Sequence, residues 1–176
     1  MIHLILGGAR SGKSSYALTS AEQYIAPREL RPVFIATATA SDEEMRLRIT
    51  RHQQERGDHW QLEEIPLALA ERITNALPNE LLLIDCLTLW LNNLFFMTPD
   101  DDPAQGVAAL KSALDGCQAD VVLIANEVGL GVIPMGDITR RYVDQAGWMN
   151  QALAAIADKV TFVAAGLPMT LKGESA

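Results

Sequence analysis

The stretch Gly7-Gly8-Ala9-Arg10-Ser11-Gly12-Lys13-Ser14 follows an apolar run at residues 2–6 and opens a helix-forming segment at residues 14–24. No other feature of the chain restricts the fold as much. The stretch matches the pattern Gly-x4-Gly-Lys-Ser in full, and it has the strand before and the helix after that the pattern requires. Glycines let the backbone curl until its N–H groups converge on an anion, and the helix N-terminus adds partial positive charge. Lys13 is placed to reach the β- and γ-phosphates of a nucleoside triphosphate, and Ser14 to hold Mg2+. The loop therefore predicts phosphate binding on an α/β fold and leaves the reaction open.

The rest of the chain repeats the strand-helix rhythm. Apolar runs at residues 2–6, 33–37, 81–85, 121–125 and 160–164 are continuous rather than alternating. That suits parallel strands buried on both faces. Residues 61–65 are a candidate sixth strand. Helices are expected at residues 14–24, 43–56, 67–76, 104–114 and 140–157, and loops at 27–32, 98–103 and 129–136. Strands alternating with helices imply right-handed crossovers and a sheet covered on both sides. No repeat or linker interrupts the pattern, so residues 1–176 are read as one nucleotide-binding domain.

Composition narrows the functional class. With 14 Lys and Arg against 22 Asp and Glu, the net charge of −8 argues against a general nucleic-acid binder. Cys86 and Cys117 have neither metal nor redox spacing, which fits reduced thiols in the cytoplasm. The N-terminal run is too short for a signal peptide, and no stretch reaches the roughly 20 apolar residues of a membrane span.

Further candidates sit where strands end. Asp85 closes the run at residues 81–85, as a ligand of Mg2+ or its waters would; a turn-capping acid is the alternative. Asn126 and Glu127 follow the run at 121–125 in the same way, either at a ligand crevice or in ordering the next loop. Ser41 and Glu44 resemble a capping box. In the helix expected there, Arg48, His52 and Arg56 form a ridge at steps of four, flanked by Arg51. A basic ridge suits a polyphosphate, and a neutral imidazole within it could attack phosphorus. A solvated helix face with an ordinary histidine is the other reading. His3 and His59 are read as structural.

Together these residues resemble the bifunctional adenosylcobinamide kinase / adenosylcobinamide-phosphate guanylyltransferase family of cobalamin biosynthesis. The likeness begins with the glycine loop and continues through Ile35-Ala36-Thr37, Asp42-Glu43-Glu44-Met45, Arg48-Ile49, His52, His59-Trp60 and Glu63. It includes Asp85-Cys86-Leu87-Thr88, Asn92-Asn93-Leu94, Arg141, Asp144, Gly147, Asn150 and Gln151. The segment Asn126-Glu127-Val128-Gly129-Leu130-Gly131-Val132-Ile133-Pro134 is the most specific single match. The chain departs from common family usage at Arg51, Gln53, Trp148 and Met149.

The resemblance implies a P-loop NTPase fold with a RecA-like, mostly parallel sheet. It implies two reactions: phosphorylation of adenosylcobinamide by ATP or GTP, then transfer of GMP from GTP to adenosylcobinamide phosphate through guanylylated His52. Nucleotide contacts carried over by position fall on Gly7, Gly8, Ala9, Arg10, Ser11, Gly12, Lys13, Ser14, Thr37, Ala38, Thr39, Gln53, Gln54, Glu55, Arg56, Glu63 and Asp85. Lys13 joins His52 as catalytic, and Ser14 and Asp85 hold Mg2+. The family assembles as a homotrimer. Apolar residues 89–97 and the loop at 128–134 are candidates for the corrinoid pocket or a subunit interface. Three rivals stay open at this point: a member with only the transferase activity, a different P-loop small-molecule kinase, and a non-catalytic nucleotide switch or assembly ATPase.

Overall fold

A computed structural model describes residues 1–38 and 57–173. The helix expected at 43–56, with His52, lies outside the described residues. Seven strands form one sheet in the order β3-β2-β4-β5-β1-β6-β7. They are β1 (Ile2–Gly7), β2 (Arg31–Ala36), β3 (Gln61–Glu64), β4 (Glu80–Asp85), β5 (Asp120–Asn126), β6 (Lys159–Ala164) and β7 (Leu167–Lys172). All neighbours are parallel except β6 and β7. Among the described residues, the helices are α1 (Lys13–Ile25), α2 (Leu69–Thr74), α3 (Leu87–Met97), α4 (Pro103–Asp115) and α5 (Asp137–Ile156).

The continuous apolar runs are explained by burial on two faces. Ile5, Leu83, Val122, Ile124 and Val163 pack on one side with Ala17 and Ala21 of α1. Their chain neighbours Leu4, Leu6, Leu82, Ile84, Leu123 and Ala125 pack on the other side. There they meet Leu69 and Ile73 of α2, Trp90 and Leu91 of α3, Leu110 and Leu114 of α4, and Met149 and Leu153 of α5. Successive strand residues point to opposite faces, so a strand covered on both sides needs an apolar residue at every position.

Two elements depart from the sequence expectation. The sequence marks residues 89–97 as an apolar candidate for the corrinoid pocket or a subunit interface and predicts no helix there. Instead α3 is a helix whose Trp90 and Leu91 are core residues, while Phe96 and Met97 stay exposed near its end. It is apolar nearly all round, so it carries no helical stripe for a periodicity reading to find. Strand β7 was not expected at all. It is a short antiparallel edge strand containing Pro168, a residue that sheets accept at an edge.

His3 shows a structural role in full. It is buried in β1, with Nε2 2.8 Å from Thr161 Oγ1 and Nδ1 3.2 Å from the Tyr24 hydroxyl. Tyr16 and Tyr24 of α1 meet its ring edge-on. Burial first, and the nearby Lys159 charge second, bring its pKa down from 6.5 to about 4. The unfolded chain therefore binds a proton at His3 that the folded chain refuses. The stabilisation is complete above pH 6.5 and is lost as pH falls toward 4. We expect the stability difference between wild type and His3→Gln to shrink by about 3 kcal/mol over that window, measured by urea unfolding. A pH-independent difference would contradict the burial of a neutral imidazole.

Candidate nucleotide-binding site

The glycine loop lies at the C-terminal end of β1, between the ends of β5 and β6. The N–H of Glu127 donates to Gly7 O at 3.0 Å, and that of Ser11 to Gly8 O at 3.3 Å. Gly7 has no room for a side chain: a Cβ there would stand 2.5 Å from both Ser11 Oγ and Val163 O. Gly12 has φ +92° and precedes α1 without a side-chain cap. The first-turn N–H groups of this 13-residue helix therefore open toward the loop, as anion binding requires. Lys13 folds back over the loop and is largely buried, with Nζ donating to Gly8 O at 3.2 Å. Arg10 stands exposed at the tip with φ 56°.

Asp85, Asn126 and Glu127 approach from the ends of β4 and β5. In the strand order β4-β5-β1, Asp85 lies two strands from the loop, about 10 Å at the usual strand spacing. The Cys86 thiol reports that Lys13 and Asp85 share a neighbourhood. Burial pushes it up to about 11, the Asp85 charge adds to the rise, and Lys13 opposes it. A thiol so protonated is no nucleophile at neutral pH. The Glu127 carboxylate accepts the Gly129 N–H at 2.6 Å and so anchors the loop that follows. Among the described residues, buried Ser11 Oγ and Asn126 Oδ1 have no hydrogen-bond partner.

Comparison with known proteins decides the family. The model for cobinamide kinase / cobinamide phosphate guanyltransferase matches residues 3–171. The chain belongs to this family. It is 49% identical to the bifunctional adenosylcobalamin biosynthesis protein CobP of Pseudomonas aeruginosa, covering 99% of each chain. It is 39% identical to the bifunctional adenosylcobalamin biosynthesis protein CobU of Salmonella typhimurium, covering 98% of this chain and all of that one. Among solved structures, the flagellar accessory protein FlaH of Methanocaldococcus jannaschii aligns with TM-score 0.54 at 10% identity, over 98% of this chain and 78% of that one. That likeness concerns the fold alone, a RecA-like P-loop architecture.

Within the cobinamide kinase / guanyltransferase family pattern, the structure separates residues that the sequence grouped. Gly7 through Ser14 and Asp85 gather at one end of the sheet. Thr37 is close by, but its groups are already engaged. Its Oγ1 donates to Cys86 O at 2.8 Å and accepts the Cys86 N–H at 3.0 Å, its N–H donates to Asp85 O, and its carbonyl accepts Asn93 Nδ2. Thr37 thus joins the ends of β2 and β4. Ala38 follows it in the chain and is half-buried. Glu63 is on edge strand β3, four strand spacings or about 19 Å from β1. It holds Arg72 at 2.6 and 3.2 Å, and Arg72 reaches on to buried Glu80. Thr39, His52, Gln53, Gln54, Glu55 and Arg56 lie outside the described residues.

The structure also shows supporting residues to which no role was attached. Tyr142 of α5 donates to Thr88 O, Thr88 Oγ1 accepts the Asn126 N–H, and buried Asn93 of α3 donates to Thr37 O and Pro66 O. These bonds tie α3 and α5 to the strand ends. In the sequence, Thr88 and Asn93 stand out as polar residues inside an apolar segment and within the family-like stretches, while Tyr142 carries no signal. A divalent cation fits the donor set. The Ser14 hydroxyl and the Asp85 carboxylate are hard oxygen ligands, and Mg2+ needs few protein ligands because phosphates and waters complete its shell. No group of three or more His, Cys, Asp or Glu among the described residues offers a rival all-protein metal site.

Proposed function

We propose that this chain carries out both reactions for which its family is named, with adenosylcobinamide as acceptor. The observation that supports this most is a complete phosphate loop in a chain 49% identical to a bifunctional relative over 99% of both. In the first reaction the aminopropanol hydroxyl of adenosylcobinamide attacks the γ-phosphorus of ATP or GTP. The bond to the β,γ-bridging oxygen breaks and the nucleoside diphosphate leaves. A strand-end carboxylate, Asp85 or Glu127, orients that hydroxyl, and its proton is released to water as the new P–O bond forms. Lys13 and the loop amides stabilise the charge on the transferring group. Mg2+, held through Ser14 and Asp85, supplies further neutralisation of the phosphates when bound.

In the second reaction an imidazole nitrogen of His52 attacks the α-phosphorus of GTP, and pyrophosphate leaves. A phosphate oxygen of adenosylcobinamide phosphate then displaces the histidine and forms adenosylcobinamide-GDP. Gln53, Gln54, Glu55, Arg56, Thr39 and Glu63 complete the guanylyl site in this reading. The enzyme works in the cytoplasm as a homotrimer of single nucleotide-binding domains. Exposed Leu130, Val132, Ile133 and Met135 support a subunit or corrinoid contact on the loop after Glu127. No described helix is long and apolar enough to cross a membrane.

Labelled GTP tests the proposal. Label at the γ-position should reach adenosylcobinamide as a phosphate, and label at the α-position should reach adenosylcobinamide phosphate as GMP. Transfer of α-label alone, with γ-labelled ATP equally inert, would leave a guanylyltransferase without kinase activity. Transfer of neither, with slow hydrolysis, would point to a nucleotide switch.

A further inference from the structure

The strands β6 and β7 are joined by a tight turn in which Ala165 and Gly166 have φ 52° and 78°, between the paired residues Ala164 and Leu167. Two successive residues with positive φ give the turn that matches the twist of an antiparallel pair. This turn abuts the phosphate loop. The Gly166 N–H donates to Ser11 O at 2.8 Å, and a Cβ on Gly12 would stand 3.2 Å from Gly166 Cα. The adjoining end of β6 closes the same side, where a Cβ on Gly7 would meet Val163 O at 2.5 Å.

We propose that the β6–β7 turn is a positioning element of the nucleotide site: by holding the Ser11 carbonyl, the Gly166 N–H orients the Gly12 N–H for the phosphates. In a planar trans peptide the C=O and N–H point in opposite directions. The carbonyl of the Ser11–Gly12 peptide is drawn outward to Gly166, so its N–H is turned to the opposite side, the inside of the loop. Gly12, at φ +92°, has no Cβ to resist other orientations of this peptide. The outer clamp therefore has to come from elsewhere in the fold. Glu127 supplies the matching clamp at Gly7 O, so the loop is held from β5 at its start and from the hairpin near its end.

The proposal rests on the loop's role as a phosphate cradle and is independent of which group is transferred. Gly166→Val tests it, because a β-branched residue cannot hold φ 78° without strain. A second variant replaces the Gly166 amide by an ester, using a synthetic C-terminal segment; it deletes the N–H donor and keeps the shape. Each is titrated with fluorescent N-methylanthraniloyl GTP and ATP in Mg2+ buffer, beside steady-state kinetics and thermal melting. A misoriented donor to a charged phosphate should raise Kd and nucleotide KM by about tenfold or more, equally for both bases. The acceptor KM should be unmoved. A purely structural role would lower kcat in proportion to the folded fraction and leave nucleotide KM unchanged, and that result would overturn the proposal. If Gly166→Val does not fold, an ester variant with wild-type Kd overturns it equally. Wild type that binds neither nucleotide would overturn it together with the loop's role. Tight binding without group transfer would refute the proposed reactions and leave this inference standing.

Discussion

Replacing His52 with alanine should abolish covalent labelling by GTP carrying label at the α-phosphate, and guanylyl transfer should fall at least about a thousandfold. In the proposed reaction the His52 imidazole supplies the nitrogen that bonds to phosphorus, so no neighbouring group can substitute without changing the chemistry. Phosphorus–nitrogen bonds at histidine are labile to acid and stable to base, and the label on wild type should show that profile. The kinase reaction should survive, because Lys13 and the loop amides act there without His52. Label persisting in His52→Ala would remove the nucleophile from the account. Loss of both reactions together would mean that the side chain grips the triphosphate in each.

The second large effect is expected at Lys13. Its ammonium lies over the loop, 3.2 Å from Gly8 O, where the terminal phosphates of a bound triphosphate would sit. Lys13→Ala should lower kcat/KM for phosphorylation by about a hundred- to a thousandfold, the range seen when one donor to a developing charge is removed. The fold should persist, since the Lys13 side chain is not part of either apolar cluster. Initial rates with label at the γ-phosphate, beside circular dichroism, check both halves. Turnover within a few-fold of wild type would contradict the role assigned to the loop.

The architecture was legible wherever local pattern and burial agree. Runs such as Leu81 to Ile84 are apolar at every position because both faces of β4 are covered, and the glycine loop has no common alternative use after such a strand. Legibility failed where the signal is not local. Helix α3 is apolar nearly all round and shows no stripe. Strand β7 is short, exposed and interrupted by Pro168, so nothing in it marks a strand until β6 lies beside it. The site divides in the same way. The placement of residues 7–14 and Asp85 at the ends of β1 and β4 was readable because the motif and the strand ends declare it. The Thr37 hydroxyl was not, since its contacts with Cys86 depend on how β2 and β4 register. The grip of Gly166 on Ser11 comes from the far end of the chain and has no sequence signature at either partner.

Glu63 is a candidate named by the family resemblance alone. The family resemblance assigns it a nucleotide contact, and its carboxylate is held by Arg72 on an edge strand. The pair is largely shielded, and Arg72 is raised above its usual pKa chiefly by the hydrogen bonds it donates to Glu63. A nucleotide reaching Glu63 must therefore share it with Arg72 or displace it.

The central claim is that one chain forms a guanylylated intermediate and passes it to a corrinoid phosphate. Intact-protein mass spectrometry after incubation with GTP and Mg2+ tests it directly. We expect a gain of one GMP per chain, which disappears when adenosylcobinamide phosphate is added, as the corrinoid gains the same group. An unmodified protein that still makes adenosylcobinamide-GDP, or an adduct that the corrinoid phosphate does not discharge, would contradict it.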